Sequence, residues 1–445
     1  MSPPVRAALG AESEGEGSGL GGADSRRAAA ELLLTVIEKR RTLDDALMET
    51  AAYDDLEGSD RAFARAMVSA ALRQLGRINS ALQPLLNRPL ETTTPHARAL
   101  LQIGAAQIWL MDTQPHAAVS QTVEASKGWP QARKAAGFLN AVLRQLPDQK
   151  AAFEKLPFED IWPDWFREIL TAQFDPAAVK ALAQQQMSVP SLHLTAKDED
   201  GAALAASVGG EWLAGPSVSL KTATVRDVPG YDAGAWWVQD AAAALPARLL
   251  GGSEGQTVVD LCAAPGGKTL QLAASGATVF AVDRAKKRLE RVAENLSRTG
   301  LGSRVSLIHS KGEAWRPEAP VDAVLVDAPC SALGTLRRHP EGPWIKRPNE
   351  IATYPNAQKS LLEASLAMLK PGGRLVYCVC SPLRHEGFDV VAACIDELGL
   401  ARVPIELGEV PGFDHCITSD GDLRTIPGGA FAHDAFYVAR LTKHA

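Results

Sequence analysis

From Val238 onward, short and nearly continuous apolar runs alternate with amphipathic segments, and this alternation constrains the fold more than any other feature. Residues 257–261, 278–282, 305–308, 323–326 and 374–379 form the apolar runs, and residues 270–274, 286–296 and 357–369 between them carry helical spacing. Strands that are apolar on both faces and separated by helices make a parallel sheet covered on both sides. The expected architecture here is α/β, Rossmann-like, with a mostly parallel sheet. A further run, Ala435-Phe436-Tyr437-Val438-Ala439-Arg440-Leu441, predicts a last strand at an antiparallel edge. In such sheets ligands bind outside the carboxyl ends of the strands, so the residues placed there carry the chemistry.

The first strand leads into Cys262-Ala263-Ala264-Pro265-Gly266-Gly267-Lys268-Thr269. A nucleoside-triphosphate loop would need Gly-x-x-x-x-Gly-Lys-Ser/Thr, but Cys262 stands at the first glycine position. The dinucleotide Gly-x-Gly-x-x-Gly pattern is absent too. What remains is a tight Pro-Gly-Gly turn that lets the backbone approach a ligand. Asp283 ends the second strand about twenty residues on, where a carboxylate can hold ribose hydroxyls.

Two strand ends carry thiols about fifty residues apart, in Asp327-Ala328-Pro329-Cys330-Ser331 and in Tyr377-Cys378-Val379-Cys380-Ser381. A nucleotide-type cofactor loop with two thiols beside it suits methylation of cytosine at carbon 5. That carbon is not nucleophilic until a thiolate adds to carbon 6 and creates an enamine, and a base must later remove the carbon 5 proton so that the thiol can leave. Asp327 can hydrogen-bond the pyrimidine ring nitrogen and strengthen the ring as an electron sink. Cys378, two residues before Cys380, shares its strand face but lies deeper. Cys380 is therefore read as reactive, and Cys262, Cys378, Cys394 and Cys416 as structural or lining residues. Cys378-Val379-Cys380 is too tight for a zinc pair and no second pair follows, so no metal is expected.

Beyond Cys330 comes a basic loop with Arg337, Arg338, His339, Trp344, Lys346 and Arg347. Arginines for phosphates and an indole for stacking suit single-stranded RNA. The net charge of −6 excludes a protein that coats nucleic acid indiscriminately, though not a local basic groove.

The first half reads differently. Residues 1–23 form a Gly/Glu/Ser/Ala tail too polar to pack. Residues 24–148 are helical throughout, capped by Asp24-Ser25 and showing faces such as Ala29, Leu33, Val36 and Ile37, then Phe63, Met67, Ala70 and Ala71. Five or more helices with short connections predict an all-α bundle. Residues 149–229 read as a small α+β connector that could line an RNA groove, and residues 230–445 as the α/β domain. Six cysteines in 445 residues, no run of eighteen apolar residues and no basic-then-apolar leader point to a reducing cytoplasm and no membrane. A monomer is expected.

At these residues the chain resembles the Nop/Sun family of RNA cytosine methyltransferases, in particular its bacterial RsmB-like branch. Val238-Gln239-Asp240 is similar to the opening motif of that family, Cys262 to Lys268 to its cofactor loop, and Asp327 to Cys330 and Cys380-Ser381 to its two cysteine motifs. Pro427-Gly428-Gly429 with Asp434-Ala435-Phe436-Tyr437 resembles its closing segment. Gln107, Pro115 to Val119 and Phe138 to Arg144 carry a likeness to the NusB-type RNA-binding bundle. The resemblance implies a class I methyltransferase fold and S-adenosylmethionine as cofactor, held by Cys262 to Lys268, Asp283, Lys311 and Asp327. It implies Cys380 as nucleophile, Cys330 as the thiol assisting product release, and small-subunit ribosomal RNA as substrate.

Three positions depart from the family pattern. Val379 replaces the usual Thr before the nucleophile. His309-Ser310-Lys311-Gly312-Glu313 stands where an acidic residue is expected near the adenine, so either Lys311 takes that position or Glu313 does through a shifted loop. Leu192-His193-Leu194-Thr195 replaces an Arg and an Asn found in many relatives. Two rival readings are an RNA-binding ribosome-assembly factor that keeps the fold without methylation, and a P-loop nucleotidase, which Cys262 disfavours.

Overall fold

The computed structural model describes residues 21–221 and 224–443. It divides into two compact units, Met1–Ser188 with Arg338–Arg347, and Val189–Arg337 with Pro348–Ala445.

The first unit is helical. Its main helices are Gly21–Glu38, Gly58–Arg73, Leu75–Leu82, Pro95–Leu110, Pro115–Gly128 and Ala136–Leu143. The first begins at Gly21, so Asp24 lies in its first turn rather than at its cap, and residues 21–23 are helix rather than tail. The rest of the expected tail falls outside the described residues. Ala29, Leu33, Val36, Met67, Val68, Leu100, Ile103 and Leu139 form a common apolar core, and each such large aliphatic side chain contributes roughly 1.5–3 kcal/mol by leaving water.

The helices Asp164–Gln173 and Pro176–Met187 also belong to this unit, not to a separate connector. Polar ties explain why. The Arg73 guanidinium of helix Gly58–Arg73 donates to the Gln186 carbonyl at 2.8 Å, Gln186 Nε2 donates back to the Arg73 carbonyl, and the Trp162 indole donates to Gln186 Oε1. At Gly76 a Cβ would lie 2.1 Å from the Asp160 carbonyl oxygen, so the chain crosses helix Leu75–Leu82 at a contact open only to glycine.

The second unit holds two sheets. Strands β1 (Leu192–Ala196), β2 (Glu211–Ala214), β3 (Ser217–Leu220) and β4 (Trp236–Val238) form a small antiparallel sheet in the order β2-β3-β1-β4. Strands β5 (Thr257–Leu261), β6 (Thr278–Asp283), β7 (Val305–His309), β8 (Val321–Asp327), β9 (Leu369–Val379), β10 (Leu400–Arg402), β11 (Leu423–Thr425) and β12 (Phe436–Lys443) make the large one. Its order is β10-β12-β9-β8-β5-β6-β7, with β11 on β12. Strands β5 to β9 pair in parallel. Residues alternate between two cores: Val258, Leu325, Val376 and Cys378 face helices Ala241–Leu250 and Gly267–Ala274. Val259, Val324, Leu375 and Tyr377 face helices Tyr354–Met368 and Phe388–Leu398.

The last strand is antiparallel as expected but is not an edge. β12 lies between β9 and β10, in register from Tyr437↔Val379 to Thr442↔Arg374. Its residues Val438, Ala439 and Leu441 are fully buried, which suits an interior strand.

Candidate active site

The carboxyl ends of β5, β6, β8 and β9 bring the predicted groups into one region of the second unit. After β5, Cys262 adopts a left-handed backbone (φ 61°) and Gly266 turns at φ 107°, a conformation that favours glycine and starts helix Gly267–Ala274. The loop is tied to β6, since Ala263 N–H donates to the Val282 carbonyl and Ala264 N–H to Asp283 Oδ2. Asp283 is buried and also accepts from Ala285 N–H at 2.8 Å and from the Arg288 guanidinium at 2.8 and 3.0 Å. Its carboxylate thus fixes the turn and faces a cation on an exposed side chain.

Asp260, one residue before the end of β5, is fully buried and accepts from Thr269 Oγ1 at 2.6 Å. Its Oδ1 has no hydrogen-bond partner, and burial pushes its pKa up to about 7. Lys268 is buried and turned toward the end of β8. Its ammonium donates to Asp327 Oδ2 at 2.8 Å and lies 5.4 Å from the Phe436 ring centre. Burial opposes that charge, but the Asp327 carboxylate outweighs it and the pKa is raised.

Cys378 is fully buried and its thiol points to Asp327 Oδ1 at 3.4 Å, so Asp327 is held on both oxygens. Burial, then the Asp327 charge, raise the Cys378 thiol well above the ordinary range, as befits a packed thiol. Burial likewise pushes Cys262 up to about 12. Cys330 and Cys380 are half-buried, with sulfurs 3.5 Å apart. The hydrogen bond to Cys380, followed by burial, raises the Cys330 thiol well above its ordinary range. Lys311 and Glu313 are both exposed, in the turn that follows β7.

The basic loop requires correction. Arg337 is 3% exposed and is not a surface contact for RNA. Its guanidinium donates to Asp240 Oδ2 at 2.6 Å and to the Ser191 carbonyl, and lies 3.7 Å from Asp434. The cause is the buried Asp240 carboxylate, which caps helix Ala241–Leu250 and also has His193 at 3.3 Å. Trp344 is not a free stacking platform either. It packs against the helical core and, with Leu33, Ile37 and Ala99, lines a cleft there, and its Nε1 is buried without a hydrogen-bond partner. Ile345 is buried beside it, its carbonyl accepting from Arg40 Nε, and Glu341 accepts from Leu43 N–H. His339 is half-buried, 3.5 Å from Glu341. Lys346 is half-buried, while Arg338 and Arg347 are exposed.

Sequence reasoning missed Asp260 and its Thr269 partner, and it missed Glu386. Glu386 is fully buried and bonded to Ser331 and Ser381. One signal pointed to it: each key cysteine is followed by a serine, so two like donors recur beside two like thiols.

Among the described residues, no helix is long and apolar enough to cross a membrane and no cluster of three or more His, Cys, Asp or Glu could hold a metal ion.

Comparison with known proteins adds independent findings. Residues 247–442 match the family described as 16S rRNA methyltransferase RsmB/F, and residues 23–148 match the NusB family. The chain is 32% identical to ribosomal RNA small subunit methyltransferase B of Vibrio vulnificus, over 94% of this chain and 99% of that protein. It is 34% identical to the protein of the same description from Xylella fastidiosa, over 93% and 99%. Among solved structures, PH0851 superposes with a TM-score of 0.73 at 21% identity, covering 95% of this chain and 99% of that one, which shows a shared fold.

Proposed function

The chain belongs to the RsmB/F family of 16S rRNA methyltransferases, and from that membership we propose that it methylates cytosine carbon 5 in small-subunit ribosomal RNA. The observation that carries the reading is the pair of thiols 3.5 Å apart, beside an aspartate fixed by a buried lysine.

S-adenosylmethionine, when bound, supplies the electrophilic methyl group. The residues present fit such a group. Asp260 Oδ1 is a buried acceptor without a partner beside the Pro265-Gly266-Gly267 turn, and the Asp283 carboxylate ends the adjacent strand. The loop from Cys262 to Gly267, with Asp260 and Asp283, would hold it, and the turn after β7 with Lys311 adjoins Asp283 through the Ser310 N–H bond to the Asp283 carbonyl.

On the base side, the thiolate of Cys380 adds to carbon 6, forming a carbon–sulfur bond and placing the ring electrons on the side of carbon 5. Asp327, positioned by Lys268 and Cys378, neutralises the negative charge gathering on the ring nitrogen by passing it a proton taken from solvent, and takes that proton back when the ring double bond reforms. After carbon 5 is methylated its proton must leave, the ring double bond reforms and the Cys380–carbon 6 bond breaks. Cys330, 3.5 Å from Cys380, assists that release once it has shed its own proton to solvent: as the thiolate it takes the carbon 5 proton, the freed electron pair reforms the ring double bond, and Cys380 leaves as a thiolate. The domain roles follow: residues 24–148 select the RNA and residues 230–445 carry out chemistry in the cytoplasm. An assembly factor without activity is not favoured, since the relatives are described as methyltransferases.

The test is methyl transfer from labelled S-adenosylmethionine to unmodified 16S rRNA, followed by bisulfite sequencing. The wild type should protect a cytosine from conversion and Cys380→Ala should protect none. Methyl incorporation that leaves every cytosine convertible would overturn the assignment.

A further inference from the structure

The two thiols stand on separate loops beyond the ends of separate strands, because β8 stops at Asp327 and β9 at Val379. Ladder bonds therefore do not by themselves fix the gap between the sulfurs. We propose that Glu386 is a positioning residue that clamps the Cys330 and Cys380 loops to one another and so sets the distance between the two thiols. The inference rests on the two-thiol reading above.

The geometry is specific. Glu386 closes the short 3-10 turn Arg384–Glu386 and is fully buried. Oε1 accepts from Ser331 N–H at 2.7 Å, and Oε2 accepts from Ser331 Oγ at 2.6 Å and Ser381 Oγ at 2.5 Å. Every one of these donors belongs to the residue directly after a thiol. One carboxylate accepts from both loops, and bonds to such a group are shorter and stronger than neutral ones. Glu386 is itself anchored from the sheet. Its carbonyl accepts from the buried Tyr377 hydroxyl of β9 at 2.5 Å, and a Cβ on the next residue, Gly387, would lie 2.7 Å from the Tyr437 ring of β12. The Cys330 loop has a backbone tie as well, since Gly334 N–H donates to the Cys380 carbonyl at 2.9 Å. That bond holds the far end of the loop, four residues from the thiol; Ala328 N–H on the Cys378 carbonyl at 3.0 Å and Gln358 Nε2 on the Pro329 carbonyl at 3.0 Å hold the residues before the thiol, and Glu386 holds Ser331 directly after it.

A buried carboxylate is costly unless its hydrogen bonds are made, and a purely apolar filler would serve packing better. The location of this group between the two reacting loops, with its lone pairs spent on them, is what a structural carboxylate elsewhere in the core would lack. Its charge also raises the Cys330 thiol, after the hydrogen bond to Cys380, burial and the Cys380 sulfur.

The test uses the full-length protein. In Glu386→Gln one acceptor becomes a donor facing Ser331 or Ser381, so the clamp loosens while side-chain volume is kept. S-adenosylmethionine affinity and KM for RNA should stay within about twofold, while kcat falls by about 10²-fold, the scale set by misplacing reacting groups by about 1 Å. Diamide should close the Cys330–Cys380 disulfide, read by peptide mapping, at least about tenfold more slowly than in wild type. Ser381→Ala should move both readings in the same direction by less. If Glu386→Gln fails to fold by circular dichroism, the double variant Ser331→Ala, Ser381→Ala keeps the carboxylate, removes both hydroxyl donors and decides by the same two readings. Wild-type closure rate and wild-type kcat in the folded variants would overturn the clamp. The diamide reading needs neither RNA nor cofactor, so the two ideas fail separately. Activity retained by Cys380→Ala removes the thiol mechanism, whereas a dead Cys380→Ala with a wild-type Glu386→Gln removes only the clamp.

Discussion

Cys330 stands three residues beyond β8 and Cys380 directly follows β9, and their sulfurs lie 3.5 Å apart. Arg337 and Trp344 lie only seven and fourteen residues further along the chain from Cys330, yet one is buried against Asp240 and the other packs on the core of the helical unit. Both stretches carry equally explicit local patterns in the sequence. The difference is that a strand end is placed by many ladder bonds acting together, while a loop side chain is placed by one or two partners distant in sequence. A parallel register shared by β5, β6, β8 and β9 puts four chemically useful positions at one edge. Nothing comparable fixes where an arginine in a loop will point.

The sharpest way to break this contrast is Arg337→Ala. Removing the guanidinium takes the nearest cation from a buried carboxylate, so stability should fall by about 3–5 kcal/mol in urea unfolding. Little loss of stability together with a large loss of RNA affinity would return Arg337 to the RNA surface and erase the distinction.

Among the strand-end groups, Asp260 gives a pH signature. Its folded pKa of about 7 lies above the usual 3.8, so its contribution to stability is complete below about pH 4 and is lost as pH rises through about 7. Each pH unit over which the buried carboxyl is forced towards ionisation costs about 1.4 kcal/mol. Asp260→Asn should flatten the decline in unfolding free energy between pH 4 and 7, and an unchanged profile would show that the carboxyl is not strained there. Asp283→Ala should weaken S-adenosylmethionine binding by about 1–3 kcal/mol in titration calorimetry, since it removes charge-assisted bonds at the end of β6. Equal affinity would take Asp283 out of the cofactor site.

The smallest effect belongs to Arg347, exposed in the same loop. Arg347→Ala should change stability by no more than about 0.5 kcal/mol and weaken RNA binding modestly, with a shallower salt dependence. An Arg347 variant as unstable as Arg337→Ala would mean that exposure does not separate the two.

Legibility followed the same division. The parallel strands, the Pro-Gly-Gly turn, Asp283, Asp327 and both thiols were visible because apolar runs and their terminal residues are local signals. The interior place of β12 was not, because an antiparallel strand next to β9 needs β10 beyond it, and β10 has only three residues, Leu400–Arg402. The attachment of helices Asp164–Gln173 and Pro176–Met187 to the bundle was not visible, because the Arg73–Gln186 tie spans 113 residues of sequence. Glu386 was invisible for an electrostatic reason. A glutamate between His385 and Gly387 reads as solvated, and only the two serine hydroxyls and one amide that it accepts from make its burial tolerable.

The central claim is that the two thiols divide one reaction between them, and covalent trapping tests it most directly. Purified wild type, Cys330→Ala and Cys380→Ala are incubated with S-adenosylmethionine and 16S rRNA, then run on a denaturing gel. Cys330→Ala should accumulate a protein–RNA adduct that survives denaturation, because addition proceeds and release does not, while Cys380→Ala should form none and transfer no methyl. An adduct trapped by Cys380→Ala, or full turnover in both variants, would contradict the assignment.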